Sequence, residues 1–280
     1  LVDRFAGSAC EFRMVFTDYV TAGLAEQLQA QSIWFADVQG NVSLTIPGKL
    51  VLHVAGNRPP AAVPTKGQHY SVPGAKVLHY LLKHGPRIGA TYRDVRRAVG
   101  VSIDKIGRLI RELETTGIVR VLGRGDFQVT NGDALLRQWV DAYEAKLGPA
   151  LLLGRYATAV GLDFGFLIQQ ARAELGGRVV VGGEVAADAL TRHLRPGLLR
   201  LYVPEDRASD IRRKLRLAPS EEGTVELCKL YAPEIVDEPA TPGRPSVDPV
   251  FIYAELMADG ADRLAETALR IRQEHLKWTL

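Results

Sequence analysis

The chain has 280 residues, which is enough for two or three domains of roughly 100–150 residues each. With 46% hydrophobic and 24% charged residues, it has the composition of a folded globular protein, which excludes long disorder, collagen and coiled coil. No apolar run approaches the ~18 residues that cross a bilayer, and the net charge of +3 means little until it is located.

The opening Leu1-Val2-Asp3-Arg4 has no signal-peptide layout and no Met, as expected of a trimmed or processed start. Cys10 and Cys228 are the two cysteines and no CxxC is present, so a reduced, cytoplasmic protein is expected.

In chain order, residues 1–66 read as a mixed α/β segment. A helix is expected over 21–30, then short strands at 33–36, 42–46 and 50–54, separated by the turn dipeptides Gly40-Asn41 and Pro47-Gly48. A linker with Pro59-Pro60 and Pro64 follows over 56–67.

Residues 67–131 read as mostly helical. A helix over 72–83 ends at His84-Gly85-Pro86. Thr91 and Asp94 form a capping box for the next helix, which stops at Gly100. Ser102 caps a third helix that ends at Gly117. Two strands, 118–122 and 127–130, flank the turn Gly123-Arg124-Gly125-Asp126.

Residues 132–280 read as a C-terminal α/β domain. An amphipathic helix is expected over 133–147, with Leu136, Trp139, Val140, Tyr143 and Leu147 on one face. Strands at 179–181 and 198–203 enclose a helix over 184–193. A loop with Pro233, Pro239, Pro242 and Pro245 precedes two final helices at 247–257 and 263–277. No internal repeat is present.

The order helix, helix, three-residue turn, helix, hairpin is that of a winged helix-turn-helix. The charge is concentrated in it. From Lys76 to Arg124 there are eleven basic and four acidic residues, a net +7 in a chain whose total is +3. At about 100° per residue, Ile106, Leu109, Ile110 and Leu113 share one face of the third helix, and Lys105, Arg108 and Arg111 lie on the opposite one.

A helix of this kind offers its N-terminal half to the major groove. Ser102, Asp104, Lys105 and Arg108 are the candidates for base contacts, with Asp104 also suited to the helix dipole. Arg111 is a candidate phosphate contact. Arg124 at the hairpin tip, with Arg120, would reach phosphates or the minor groove. Lys76, Arg93, Arg96 and Arg97 could add backbone contacts. The alternatives are a solvated charged face and a winged helix that docks protein.

No catalytic signature stands out. The six histidines fall in no metal-ligand spacing, and no metal or cofactor is expected. A metal-dependent nuclease would have to draw on Asp3, Glu11-Phe12-Arg13, Asp18 or Asp37, with Arg in place of the usual Lys. Val181-Gly182-Gly183-Glu184 suits a nucleotidyltransferase helix start. However, the following strand, Leu199-Arg200-Leu201-Tyr202-Val203, lacks paired acids, and Glu205 and Asp206 come too late. Such a scaffold would be without its chemistry. The simpler reading is that the glycines allow a helix to pack closely on a sheet.

Several stretches together resemble the AbiEi-type transcriptional regulators, the antitoxins of type IV toxin–antitoxin systems. They are Asp37-x-x-Gly40-Asn41, Gly100-Val101-Ser102 through Leu113-Glu114-x-x-Gly117, Leu152-Leu153-Gly154-Arg155-Tyr156, Gly183-Glu184-x-Ala186-Ala187, and Asp248-Pro249 through Tyr253-Ala254-x-Leu256. The resemblance implies a winged-helix repressor of its own promoter and a nucleotidyltransferase-like toxin countered without a stable complex. It also implies that the first segment is a degraded restriction-endonuclease-like domain that this chain enters late. The expectation is therefore a mixed α+β, DNA-binding autorepressor without enzymatic activity or membrane attachment, and a homodimer is compatible with paired half-sites. The alternatives are a nucleic-acid-processing enzyme and an interaction scaffold.

Overall fold

A computed structural model of the chain describes residues 13–17, 20, 22–37, 40–54, 71–158, 163–237 and 245–280. The fold is mixed α+β, in two compact units, Leu1–Thr65 and Lys66–Leu280. Of the sequence readings, Asp3, Cys10, Glu11, Phe12, Asp18, Pro239, Pro242 and the 56–67 linker lie outside the described residues.

The first unit contains β1 (Met14–Thr17), α1 (Ala22–Ala30), β2 (Trp34–Asp37), β3 (Val42–Ile46) and β4 (Leu50–Val54). The strands form one sheet in the order β1-β2-β3-β4, with β1 and β2 parallel and the rest antiparallel. Leu24 and Leu28 of α1 pack on Val15 and Phe35. Asp37 sets the turn before β3. Its carboxylate accepts the backbone N–H groups of Val20 (2.8 Å) and Asn41 (2.9 Å) and the Asn41 amide (2.8 Å), and Gly40 sits at φ 83°. This acid, a candidate for nuclease chemistry in the sequence, builds a turn.

The second unit begins with α2 (Val72–His84), β5 (Arg87–Ile88), α3 (Tyr92–Val99), α4 (Ile103–Thr115), β6 (Val119–Gly123) and β7 (Asp126–Val129). The Ser71 hydroxyl accepts the Gly74 N–H at 3.1 Å and so caps α2. The small sheet has the order β5-β7-β6.

The chain continues through α5 (Gly132–Ala142), a π turn (Tyr143–Leu147), α6 (Gly148–Leu151), β8 (Leu152–Ala157), α7 (Phe164–Leu175), β9 (Val180–Gly182), α8 (Gly183–Thr191) and β10 (Leu199–Val203). It ends with α9 (Ala208–Lys214), β11 (Ala218–Pro219), β12 (Val225–Lys229), β13 (Val236–Asp237), β14 (Ser246–Val247), α10 (Pro249–Asp259) and α11 (Asp262–His275). These strands make a seven-stranded mixed sheet, β11-β8-β12-β10-β9-β14-β13.

The single helix expected over 133–147 is thus a helix and a π turn. The extra residue in the turn keeps both Tyr143 and Leu147 buried. One hydrophobic core runs through the second unit from Ala75 to Leu276, centred on Trp139, Tyr202 and Phe251.

Candidate nucleic-acid interface

Three local devices shape the helical part. In the first, Thr91 Oγ1 accepts the Asp94 N–H (3.3 Å) while Asp94 Oδ2 accepts the Thr91 N–H (2.9 Å), which closes the capping box of α3. The Thr91 hydroxyl and N–H together hold the Asp94 carboxyl below the usual carboxylate range.

In the second, Gly100 at φ 70° ends α3, and Val101 is buried beneath the turn. In the third, Gly117 at φ 71° ends α4. The Gly117 N–H donates to Glu114 O (3.0 Å) and the Ile118 N–H to Leu113 O (2.9 Å), the paired bonds of a Schellman motif. Ser102 occupies the N-cap of α4, but its hydroxyl makes no capping bond. The expected cap is right in position and wrong in chemistry.

Helix α4 is two-sided. Ile106, Leu109, Ile110 and Leu113 are each at most 1% exposed, while Lys105, Arg108 and Arg111 are exposed. Helix α3 buries Val95 and Val99 and exposes Arg93, Arg96 and Arg97. The Tyr92 ring stacks on Phe127 at 5.7 Å and 3°, which ties α3 to β7.

The hairpin tip is held as well. Arg87 on β5 grips Asp126 on β7 with two bonds, 2.8 and 3.3 Å, and this pairing holds the Asp126 carboxyl below its usual range. Gly125 takes φ 82°, and a Cβ there would lie 3.0 Å from Thr91 Cγ2. The tip that carries Arg124 therefore rests beside the start of α3.

The eleven basic residues of the segment divide into three groups. Lys76 and Lys83 turn inward. The Lys76 ammonium lies 4.2 Å from the Tyr231 ring centroid, and burial lowers its pKa. Lys83 donates to the backbone carbonyls of Glu234 and Val236. The expected phosphate role of Lys76 is therefore corrected, because its charge is spent on packing α2 against the C-terminal part.

Three arginines are paired at the surface: Arg87 with Asp126, Arg97 with Asp94 (3.4 Å) and Arg108 with Asp104 (2.7 Å). Arg93, Arg96, Lys105, Arg111, Arg120 and Arg124 are exposed, and their side chains make no hydrogen bond or ion pair among the described residues. Such cations can neutralise phosphate without first breaking an internal bond.

A second polar centre was not legible in the sequence. Arg200 on β10 pairs with Glu226 on β12 (2.6 Å) and with Glu255 on α10 (3.0 Å). Glu255 also accepts the Tyr202 hydroxyl (2.6 Å) and the Gly183 N–H (2.6 Å). Burial pushes the Tyr143 and Tyr202 phenols and the Cys228 thiol well up.

The glycine pair at the start of α8 makes room for this cluster. A Cβ on Gly182 would lie 2.7 Å from Tyr202 Cε2 and 3.0 Å from Glu255 Oε1. The helix-start N–H that could have met a phosphate already holds a carboxylate. Among the described residues, no group of three or more His, Cys, Asp or Glu is placed to hold a metal ion.

The stretches that carried the family resemblance turn out to be structural posts. Asp248 caps α10 through the Phe251 N–H (3.0 Å) and meets buried His79 of α2 at 2.7 Å. Glu184 accepts the Gly197 N–H (2.8 Å) and pairs with Arg263 (3.0 Å). No helix among the described residues is long and apolar enough to cross a membrane. Compared with known proteins, residues 128–277 match the family described as transcriptional regulator, AbiEi antitoxin, type IV toxin–antitoxin system. No curated protein matches the chain.

Proposed function

The chain belongs to the AbiEi antitoxin family of type IV toxin–antitoxin systems, and from that premise we propose that it is a winged helix-turn-helix regulator that binds double-stranded DNA at its own promoter and represses its own operon. The reading module is residues 67–131, which lie almost wholly outside the family match, so the DNA-binding reading rests on geometry. One observation carries it: α4 buries Ile106, Leu109, Ile110 and Leu113 while exposing Lys105, Arg108 and Arg111 on the other side.

In this reading Ser102, Asp104, Lys105 and Arg108 face base edges in the major groove. Arg111 contacts phosphate, as do Arg93, Arg96 and Arg97 from α3. Arg120 and Arg124 reach phosphates or the minor groove beside it. The cognate toxin is nucleotidyltransferase-like and is countered without a stable complex, in the cytoplasm.

The enzyme alternative loses ground at the Gly183 N–H, which is filled by Glu255 at 2.6 Å. The test is a mobility-shift titration on promoter DNA at several salt concentrations. Affinity should fall steeply with salt, by a log–log slope of roughly 0.9 per phosphate neutralised. Salt-independent binding, or no preference for promoter over scrambled duplex, would overturn the reading.

A further inference from the structure

Strand β6 is at the edge of its small sheet, where proteins ordinarily place charge, proline or a bulge. Val119 is buried and Val121 packs against the core, so the alternating residues Arg120 and Leu122 face outward. Arg120 is the charge expected of an edge. Leu122 is not, and 45% of it is exposed.

The ladder breaks at this leucine. Val119, Arg120 and Val121 pair with Val129, Gln128 and Phe127, and the next pair is Gly123 with Asp126. Leu122 is therefore the extra residue of a β-bulge, with no partner of its own on β7. A bulge re-aims a side chain and is frequent beside functional positions. The strand is anchored on both sides of it. The Val121 N–H donates to Glu114 Oε1 of α4 at 3.4 Å, and Arg87 grips Asp126 at the foot of the turn. Leu122 is thus carried at a set offset from α4. Arg120 lies two residues before it and Arg124 two residues after it. Both are exposed, and neither makes a side-chain hydrogen bond or ion pair among the described residues.

We propose, resting on the DNA-binding reading of this module, that Leu122 is a wedge: it enters the minor groove beside the major-groove stretch held by α4, presses into one base step and bends the duplex toward the major groove. Arg120 and Arg124 meet phosphates on either side, and the side chain between them meets the groove floor. Leucine has no donor or acceptor, so it reads no base edge by hydrogen bonding. What it gains is the release of water from its own surface against sugars and a partly opened step. Pyrimidine–purine steps open at the least cost, so Leu122 adds a sequence preference that no hydrogen bond carries. A lone leucine bracketed by two cations is too small for a protein-docking patch.

The test is energy transfer between dyes at the two ends of a promoter duplex, read together with mobility shifts on the full chain. The wild type should bring the ends closer. Leu122→Ala should lose about tenfold in affinity and leave the duplex straight, with an unchanged salt slope because no phosphate contact is lost. Leu122→Met should keep the bend. Leu122→Lys should steepen the salt slope and still leave the duplex straight. A wild type that binds promoter DNA without bending it overturns the wedge and leaves the DNA reading standing. So does a Leu122→Ala chain that binds and bends like the wild type. A wild type that binds no duplex overturns both. If uracil in place of thymine weakens the wild type but not Leu122→Ala, the contact is a thymine methyl in the major groove, and the minor-groove placement is overturned.

Discussion

Asp104 and Arg108 form a 2.7 Å ion pair across one turn of α4, with the acid on the N-terminal side. That order suits both the i,i+4 geometry and the helix dipole. It holds the guanidinium along the helix face and makes the proposed DNA-binding surface one charge less positive.

Replacing Arg108 by Ala should therefore cost about 1–3 kcal/mol on promoter DNA and much less on a scrambled duplex. Asp104→Ala should do the reverse, tightening binding to any duplex while blurring the preference. Competition mobility shifts with the two duplexes measure both. Equal losses on both duplexes for Arg108→Ala would reduce that residue to a phosphate contact.

Arg124 stands at a tip fixed by the Arg87–Asp126 pair and by the contact of Gly125 with Thr91. Its loss should remove one phosphate contact. Arg124→Ala should weaken all DNA about equally and flatten the salt slope by about 1. The readout is the Kd on promoter and scrambled DNA over a salt series.

The Asp94 carboxyl titrates below its ordinary value because the capping box bonds its charged form. A folded-state pKa below the unfolded one adds stability above the unfolded value, and that stability is lost as pH falls through the folded value. Acidification below the ordinary Asp range should thus fray the first turn of α3, as seen in amide exchange of Asp94 and Val95. Asp94→Asn should already exchange faster at neutral pH and show no such acid step.

Glu255 is the buried acceptor for Arg200, Tyr202 and the Gly183 N–H. Glu255→Ala leaves Arg200 with Glu226 alone and removes the acceptor of the buried Tyr202 hydroxyl and Gly183 N–H, and should cost about 1–3 kcal/mol in urea denaturation. A loss below about 1 kcal/mol would mean that solvent reaches this cluster.

Gly182→Ala tests the close approach directly, since its Cβ would meet Tyr202 at 2.7 Å. Overpacking of this kind should cost about 1–3 kcal/mol. Gly89→Ala, where nothing lies within 4 Å of the new atom, serves as the neutral control in the same thermal melt.

The sequence by itself determined what depends on neighbours along the chain. The capping box at Thr91 and Asp94, the left-handed stops at Gly100 and Gly117, and the apolar stripe of α4 all follow from spacings of three or four residues. So does the exposure of Lys105, Arg108 and Arg111. What lay across the fold was not readable. Strands β8 and β12 escaped notice because short interior runs carry no alternation to mark them. Lys76 and Lys83 read like any other surface cation, yet α2 turns them toward Tyr231 and the Glu234 carbonyl. Arg200 meets Glu226 and Glu255 from 26 and 55 residues away, and Phe16 shares a sheet face with Leu52 only once four strands are in register. A helix writes its faces into local periodicity, whereas a sheet face and a buried ion cluster exist only after distant segments meet, so tertiary structure alone decided them.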